Sequence, residues 1–105
     1  MKNILIISTA PSISEAEKIA EILVNNKLAA CCNIIPAIKS VYRWEGELKK
    51  EEEVMLHIKT IQQLEEEVIS MIKQNHSYSV PEIIVLEIIS GSEEYLNWLR
   101  SSLQN

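Results

Sequence analysis

Two stretches of this chain, Ile4-Leu5-Ile6-Ile7 and Ile83-Ile84-Val85-Leu86, are apolar without alternation. Successive residues of a strand point to opposite sides, so a strand with one wet face alternates apolar with polar side chains. These runs do not alternate, and any sheet that contains them needs cover on both faces. The 105 residues, 47% hydrophobic, are enough for one domain spanning 1–105 with a modest core. What the chain can place on the second face of its own sheet is therefore limited.

The intervening pattern supplies cover for one face. Ser12 and Glu15 have the spacing of a capping box, and Ala16, Ile19, Ala20, Leu23 and Val24 form an apolar stripe. This helix ends near Asn25-Asn26-Lys27. From Leu28 to Trp44 the chain reads as extended, with a bulge or edge at Pro36, which cannot donate to a ladder. Glu45-Gly46 makes a tight hairpin turn, and a second arm runs from Glu47 to Lys59. Val54, Leu56 and Ile58 alternate inward, whereas Lys49 to Glu53 read as solvated. Thr60 and Gln63 repeat the capping spacing before a stripe of Ile61, Leu64, Val68, Met71 and Ile72, with a stop at Asn75. A loop over His76 to Val80 leads through Pro81 into a strand from Glu82 to Ile89. Ser90-Gly91-Ser92 then caps a last helix carrying Tyr95, Leu96, Trp98, Leu99 and Leu103.

Two tandem βαβ units with right-handed crossovers imply an α+β fold: a ferredoxin-like split βαβ sandwich with an antiparallel sheet and both main helices on one face. It carries a long hairpin between its second and third strands and an extra C-terminal helix. That helix, about three turns long, is too short to screen four strands. A second copy of the chain is the economical cover for the open face. Tyr42 and Trp44 point the same way: they lie two apart near the hairpin tip, hence on one face, far from where one small domain buries them easily. They are expected at a subunit interface, the alternative being isolated surface aromatics.

The formal net charge of -5 disfavours nucleic acid and anionic lipid as partners. No run approaches the ~18 apolar residues of a membrane span, and the N-terminal run is shorter than a signal-peptide core, so a cytoplasmic, non-membrane protein is expected. Cys31 and Cys32 are adjacent and do not form a framework of spaced cysteines, so both are expected as reduced, core-like thiols. No nucleophile motif, phosphate-cradling glycine loop or zinc spacing is present, and two glycines in all leave little material for one. The chain does not read as an enzyme.

Several segments carry a family resemblance. Ser8-Thr9-Ala10-Pro11, Leu28-Ala29-Ala30-Cys31, Tyr42-Arg43-Trp44-Glu45-Gly46, Val80-Pro81-Glu82-Ile83-Ile84 and Tyr95-Leu96-Asn97-Trp98 occur in order and at compatible separations. Over nearly its whole length the chain resembles the CutA divalent-cation tolerance family. The resemblance implies a ferredoxin-like protomer, a PII-like homotrimer with hairpins reaching across to neighbours, and a non-enzymatic role in tolerance of copper and other divalent cations. No cofactor is required, although weak binding of copper(II) or another divalent cation is expected. The alternative is a PII-like trimeric sensor or scaffold with a small molecule in the clefts between subunits. Some relatives have a cysteine where this chain has Ser8 and a histidine pair before Pro-Tyr where it has Asn75-His76-Ser77-Tyr78. Ala37 stands where a glycine is usual.

His76 is the candidate metal ligand, because imidazole suits copper and zinc and a loop should leave it accessible. Tyr78 and Glu82 could add a phenol and a carboxylate. Lys59 could face the same cleft, where it would favour an anion. His57, between Leu56 and Ile58, reads as a hydrogen-bonded structural histidine. Glu51-Glu52-Glu53 reads as a solvated run rather than a hard-ion site, since adjacent strand residues do not converge.

Overall fold

The N-terminal apolar run forms β1 (Asn3–Ala10), followed by α1 (Ile13–Asn25), β2 (Cys31–Trp44), β3 (Glu47–Ile61), α2 (Glu65–Asn75), β4 (Ile83–Glu87) and α3 (Glu93–Ser101). This computed structural model describes residues 2–104. The four strands make one sheet in the order β2-β3-β1-β4, and every neighbouring pair is antiparallel. That is the ferredoxin-like arrangement, with the two apolar runs paired side by side as Ile4↔Glu87 through Ser8↔Ile83.

One face is closed by α1 and α2. Ile4, Ile6 and Ala10 of β1 and Val54, Leu56 and Ile58 of β3 are buried against Ala16, Ile19, Ala20 and Leu23 of α1 and Val68 and Ile72 of α2. Cys32, Ile34, Ile83 and Val85 pack at the margin of this core. Ser12 caps α1 as the spacing predicts, its Oγ accepting from Glu15 N–H at 3.2 Å. The reciprocal half of the box is not made, because the Glu15 carboxylate accepts from Ser77 N–H and Oγ at 3.0 and 3.1 Å instead.

Three local expectations need correction. Thr60 does not cap α2: it lies inside β3, fully buried, and its hydroxyl donates to the Leu28 carbonyl at 2.6 Å. A buried hydroxyl must find a partner, and that long-range one wins over the local cap. The chain then passes through a short 3₁₀ turn (Gln62–Leu64) with no side-chain cap before α2 begins. Extended structure starts at Cys31 and not at Leu28, because α1 ends in a Schellman motif: Leu28 N–H donates to Leu23 O at 2.9 Å and Lys27 N–H to Val24 O at 3.0 Å. Glu53 is buried, unlike the solvated residue expected there.

Lys27 carries the motif's left-handed residue at φ 55°. A side chain in that region costs ~1–2 kcal/mol, part of which glycine recovers at the expense of a looser unfolded chain. Lys27→Gly is expected to stabilise the fold by about 1 kcal/mol, read as a higher denaturant midpoint at unchanged slope.

Pro36 does mark a bulge. Ile35 opposes Met55 and Ile38 opposes Glu53, so β2 spends one more residue than β3 over this step, with Ala37 at φ 60°. An extra residue exchanges which parity faces which side. Cys31, Asn33 and Ile35 look toward the face away from α1 and α2, and beyond the bulge Ile38, Ser40, Tyr42 and Trp44 look the same way. From Ile38 to Trp44 and Glu47 to Glu53 the two strands pair with each other past the end of β1 at Ala10, so they project as a two-stranded ribbon. The turn closes with Glu45 at φ 51° and Gly46 at φ 80°, the positive pair of a tight hairpin.

Candidate functional site

The face opposite α1 and α2 holds Leu5 and Ile7 of β1, Ile35 of β2, Met55 of β3 and Ile84 and Leu86 of β4, by alternation and register. α3 packs on β3 and covers one end of this face. Its Leu99 is buried and its Arg100 Nε donates to Asn3 Oδ1 at 3.1 Å. Ile84 and Leu86 remain 49% and 44% exposed, and Ile35 is open as well. The bulge keeps the ribbon's aromatics on this same side, where Trp44 is 45% exposed and Tyr42 is open, its hydroxyl donating to Glu51 Oε1 at 2.7 Å. That bond, more than burial, raises the Tyr42 phenol above its ordinary value.

His76 is not accessible. Its side chain is 0% exposed at the junction of β1, α1 and the loop before β4. Nε2 lies 2.6 Å from the Thr9 carbonyl and therefore donates to it, while Nδ1 accepts from Tyr78 N–H at 3.1 Å. The Glu15 carboxylate approaches Nδ1 at 3.4 Å. The ring stacks at a tilt on Tyr78, 4.8 Å between centroids, and the Tyr78 hydroxyl donates to Glu53 Oε2 at 2.9 Å. Burial, then that bond, pushes the Tyr78 phenol up. His76 is thus the hub of a clasp that joins the end of β1, the start of α1, the loop and the root of the ribbon. Both ring nitrogens are engaged, so neither offers a lone pair to a metal in this conformation, and the accessibility expected of His76 is corrected: its ring is buried within the chain.

The other candidates separate. Tyr78 joins the clasp, but Glu82 contributes its backbone carbonyl, which accepts from Ser8 Oγ at 2.8 Å, and its side chain is exposed. Lys59 sits six residues along β3 from Glu53, about 20 Å away, so the cleft expected to unite Lys59, Tyr78 and Glu82 does not form within one chain. Lys59 instead meets Cys31 and Asn33 of β2, with Tyr95 of α3 nearby. Among the described residues no point gathers three or more His, Cys, Asp or Glu side chains. Glu15 and Glu53, both essential to the clasp, were missed in the sequence. Strand alternation could have placed Glu53 with Met55 and His57 on the open face, whereas nothing local marks Glu15 as a long-range acceptor.

The profile of the CutA1 divalent ion tolerance protein family matches residues 4–102. The chain is 45% identical over 103 residues to the chloroplastic protein CutA of Arabidopsis thaliana, covering 98% of this chain but only 57% of that longer protein. It is 42% identical over 98 residues to the divalent-cation tolerance protein CutA of Thermus thermophilus, covering 93% of this chain and 95% of the relative. Among solved structures, CutA1 from Oryza sativa superposes with a TM-score of 0.97 at 39% identity, covering 100% of this chain and 96% of that one. With the profile spanning nearly the whole sequence and the same fold in its relatives, the chain belongs to the CutA1 divalent ion tolerance protein family.

Proposed function

We propose that this protein serves divalent-cation tolerance as a non-enzymatic homotrimer, its subunits joined through the open sheet face and the projecting ribbon. The observation that carries the reading is that Ile35, Ile84 and Leu86 of the sheet and Tyr42 and Trp44 of the ribbon are all exposed on one side of the protomer. An apolar area of this extent on a sheet face is the mark of an interaction surface, and a second copy presents the same chemistry. The role itself comes from the family, whose relatives carry divalent-cation tolerance in their names. Two unpaired thiols support a reducing, cytoplasmic setting, and no helix among the described residues is long and apolar enough to cross a membrane.

Cation binding is weak in this reading. The His76 nitrogens do not fit a preformed copper site, and the carboxylates of a chain with net charge -5 attract cations only diffusely. Calorimetric titration of copper(II) into the metal-free protein should give an affinity no tighter than micromolar, with zinc weaker still. A sub-micromolar site in the folded protein would contradict the assignment. The tolerance role is tested in the source cells: removing the protein should lower the copper concentration that halts growth, and restoring it should reverse the effect. Unchanged tolerance would sink the reading.

A further inference from the structure

Under α3, the open face carries a polar island apart from its exposed apolar residues. Cys31 and Lys59 are register partners across β2 and β3, so their side chains leave the sheet on the same side. Lys59 Nζ donates to Cys31 Sγ at 3.9 Å and also to Asn33 Oδ1. Tyr95 of α3 lies near the same thiol, which, after burial, contributes to raising its phenol. Among the described residues Lys59 makes no ion pair, so no carboxylate holds its nitrogen away from the thiol. Cys31 is partly exposed, within reach of a small oxidant. Cys32 points to the opposite face, opposing Ile58, where burial pushes its thiol up to about 12. Adjacent strand residues facing opposite ways are poorly placed for a disulfide with each other. The amine that the geometry sets against an oxidised Cys31 is that of Lys59, 3.9 Å from the sulfur.

We propose that Cys31 and Lys59 form a reversible sulfur–nitrogen cross-link when the protein meets hydrogen peroxide. In the first step the Cys31 thiolate attacks one peroxide oxygen and the O–O bond breaks. Sulfenic acid forms and the other oxygen leaves as water, carrying the proton that the thiol released. In the second, the Lys59 ammonium gives one proton to solvent, and the amine so formed attacks the sulfur as the S–O bond breaks. The hydroxyl leaves as water with one amine proton. The sulfur loses two electrons, one peroxide becomes two waters, and the chain loses two hydrogens. A dithiol reductant returns the thiol and the amine by becoming a disulfide. The link staples β2 to β3 and removes the Lys59 charge from the open face.

The test treats the native protein with dilute hydrogen peroxide and reads intact mass and a proteolytic map. The expected product is a single chain lighter by two hydrogens, its Cys31 peptide joined to its Lys59 peptide and released by dithiothreitol. The loss should persist in Cys32→Ser and vanish in Cys31→Ser and in Lys59→Arg, whose guanidinium keeps the charge but is a poor nucleophile. A loss of two hydrogens that survives Lys59→Arg would show a disulfide instead. That result, added oxygen alone, or an unchanged mass each overturns the proposal. The peptide map of the unsubstituted protein decides the question even if a variant folds poorly.

Discussion

Leu86→Glu is expected to abolish self-association, and Trp44→Ala to weaken it while lowering thermal stability in a concentration-dependent way. Leu86 lies on the edge strand β4, facing the open side, and is 44% exposed in one chain. A carboxylate there would have to be desolvated without a partner, a penalty of several kcal/mol at each copy of the contact. Trp44 is 45% exposed, so roughly 100 Å² of a ring that buries ~150–250 Å² is left for a partner to cover. At ~25 cal/mol/Å² that is about 2–3 kcal/mol per subunit, or a factor of roughly thirty to two hundred in each association step. Because folding and association are linked by mass action, the melting temperature of Trp44→Ala should rise with protein concentration more steeply than that of the unsubstituted protein. Scanning calorimetry at two concentrations checks this; an unchanged melting curve would make Trp44 surface decoration.

His76→Ala should cost about 3 kcal/mol of stability, more than an ordinary loop substitution. The change leaves the Thr9 carbonyl and the Tyr78 N–H without their partners in a closed site, each worth ~1–3 kcal/mol, and opens a cavity beneath Tyr78. Solvent entering the cavity offsets part of the loss. Glu15→Gln should cost less, since an amide oxygen can still accept from Ser77. The loss should show in denaturant unfolding as a lower midpoint, and hydrogen exchange should quicken at the Tyr78 amide and around the loop. An exposed-histidine account expects a change within about 0.5 kcal/mol and no such local effect.

Most of the protomer's architecture was legible because it rests on strong local signals. The two unalternating runs became the central and edge strands β1 and β4, Glu45-Gly46 closed the hairpin, and Pro36 marked the bulge. Capping at Ser12 and Ser92 was read correctly, since each serine oxygen accepts from a backbone N–H three residues on. The capping spacing at Thr60 misled, because burial gave that hydroxyl a stronger claim on Leu28 O. The candidate site fared worse for a related reason. His76, Glu15, Thr9, Tyr78 and Glu53 meet only through tertiary folding, across separations such as 67 residues between His76 and Thr9. Periodicity carries no information about such meetings. Pro36 offered a bulge or an edge without deciding between them, and only the pairing shows the extra residue that puts Tyr42 and Trp44 on the same side as Ile84 and Leu86.

The account stands on the open face being covered by further copies of the chain. Light scattering coupled to gel filtration measures this without reference to shape, which matters for a protomer 44 Å long and 21 Å thick with a projecting ribbon. The expected mass is three times the 12.0 kDa chain mass, unchanged on dilution to micromolar protein. A well-folded species at 12.0 kDa, with Ile84, Leu86 and Trp44 left in water, would contradict it.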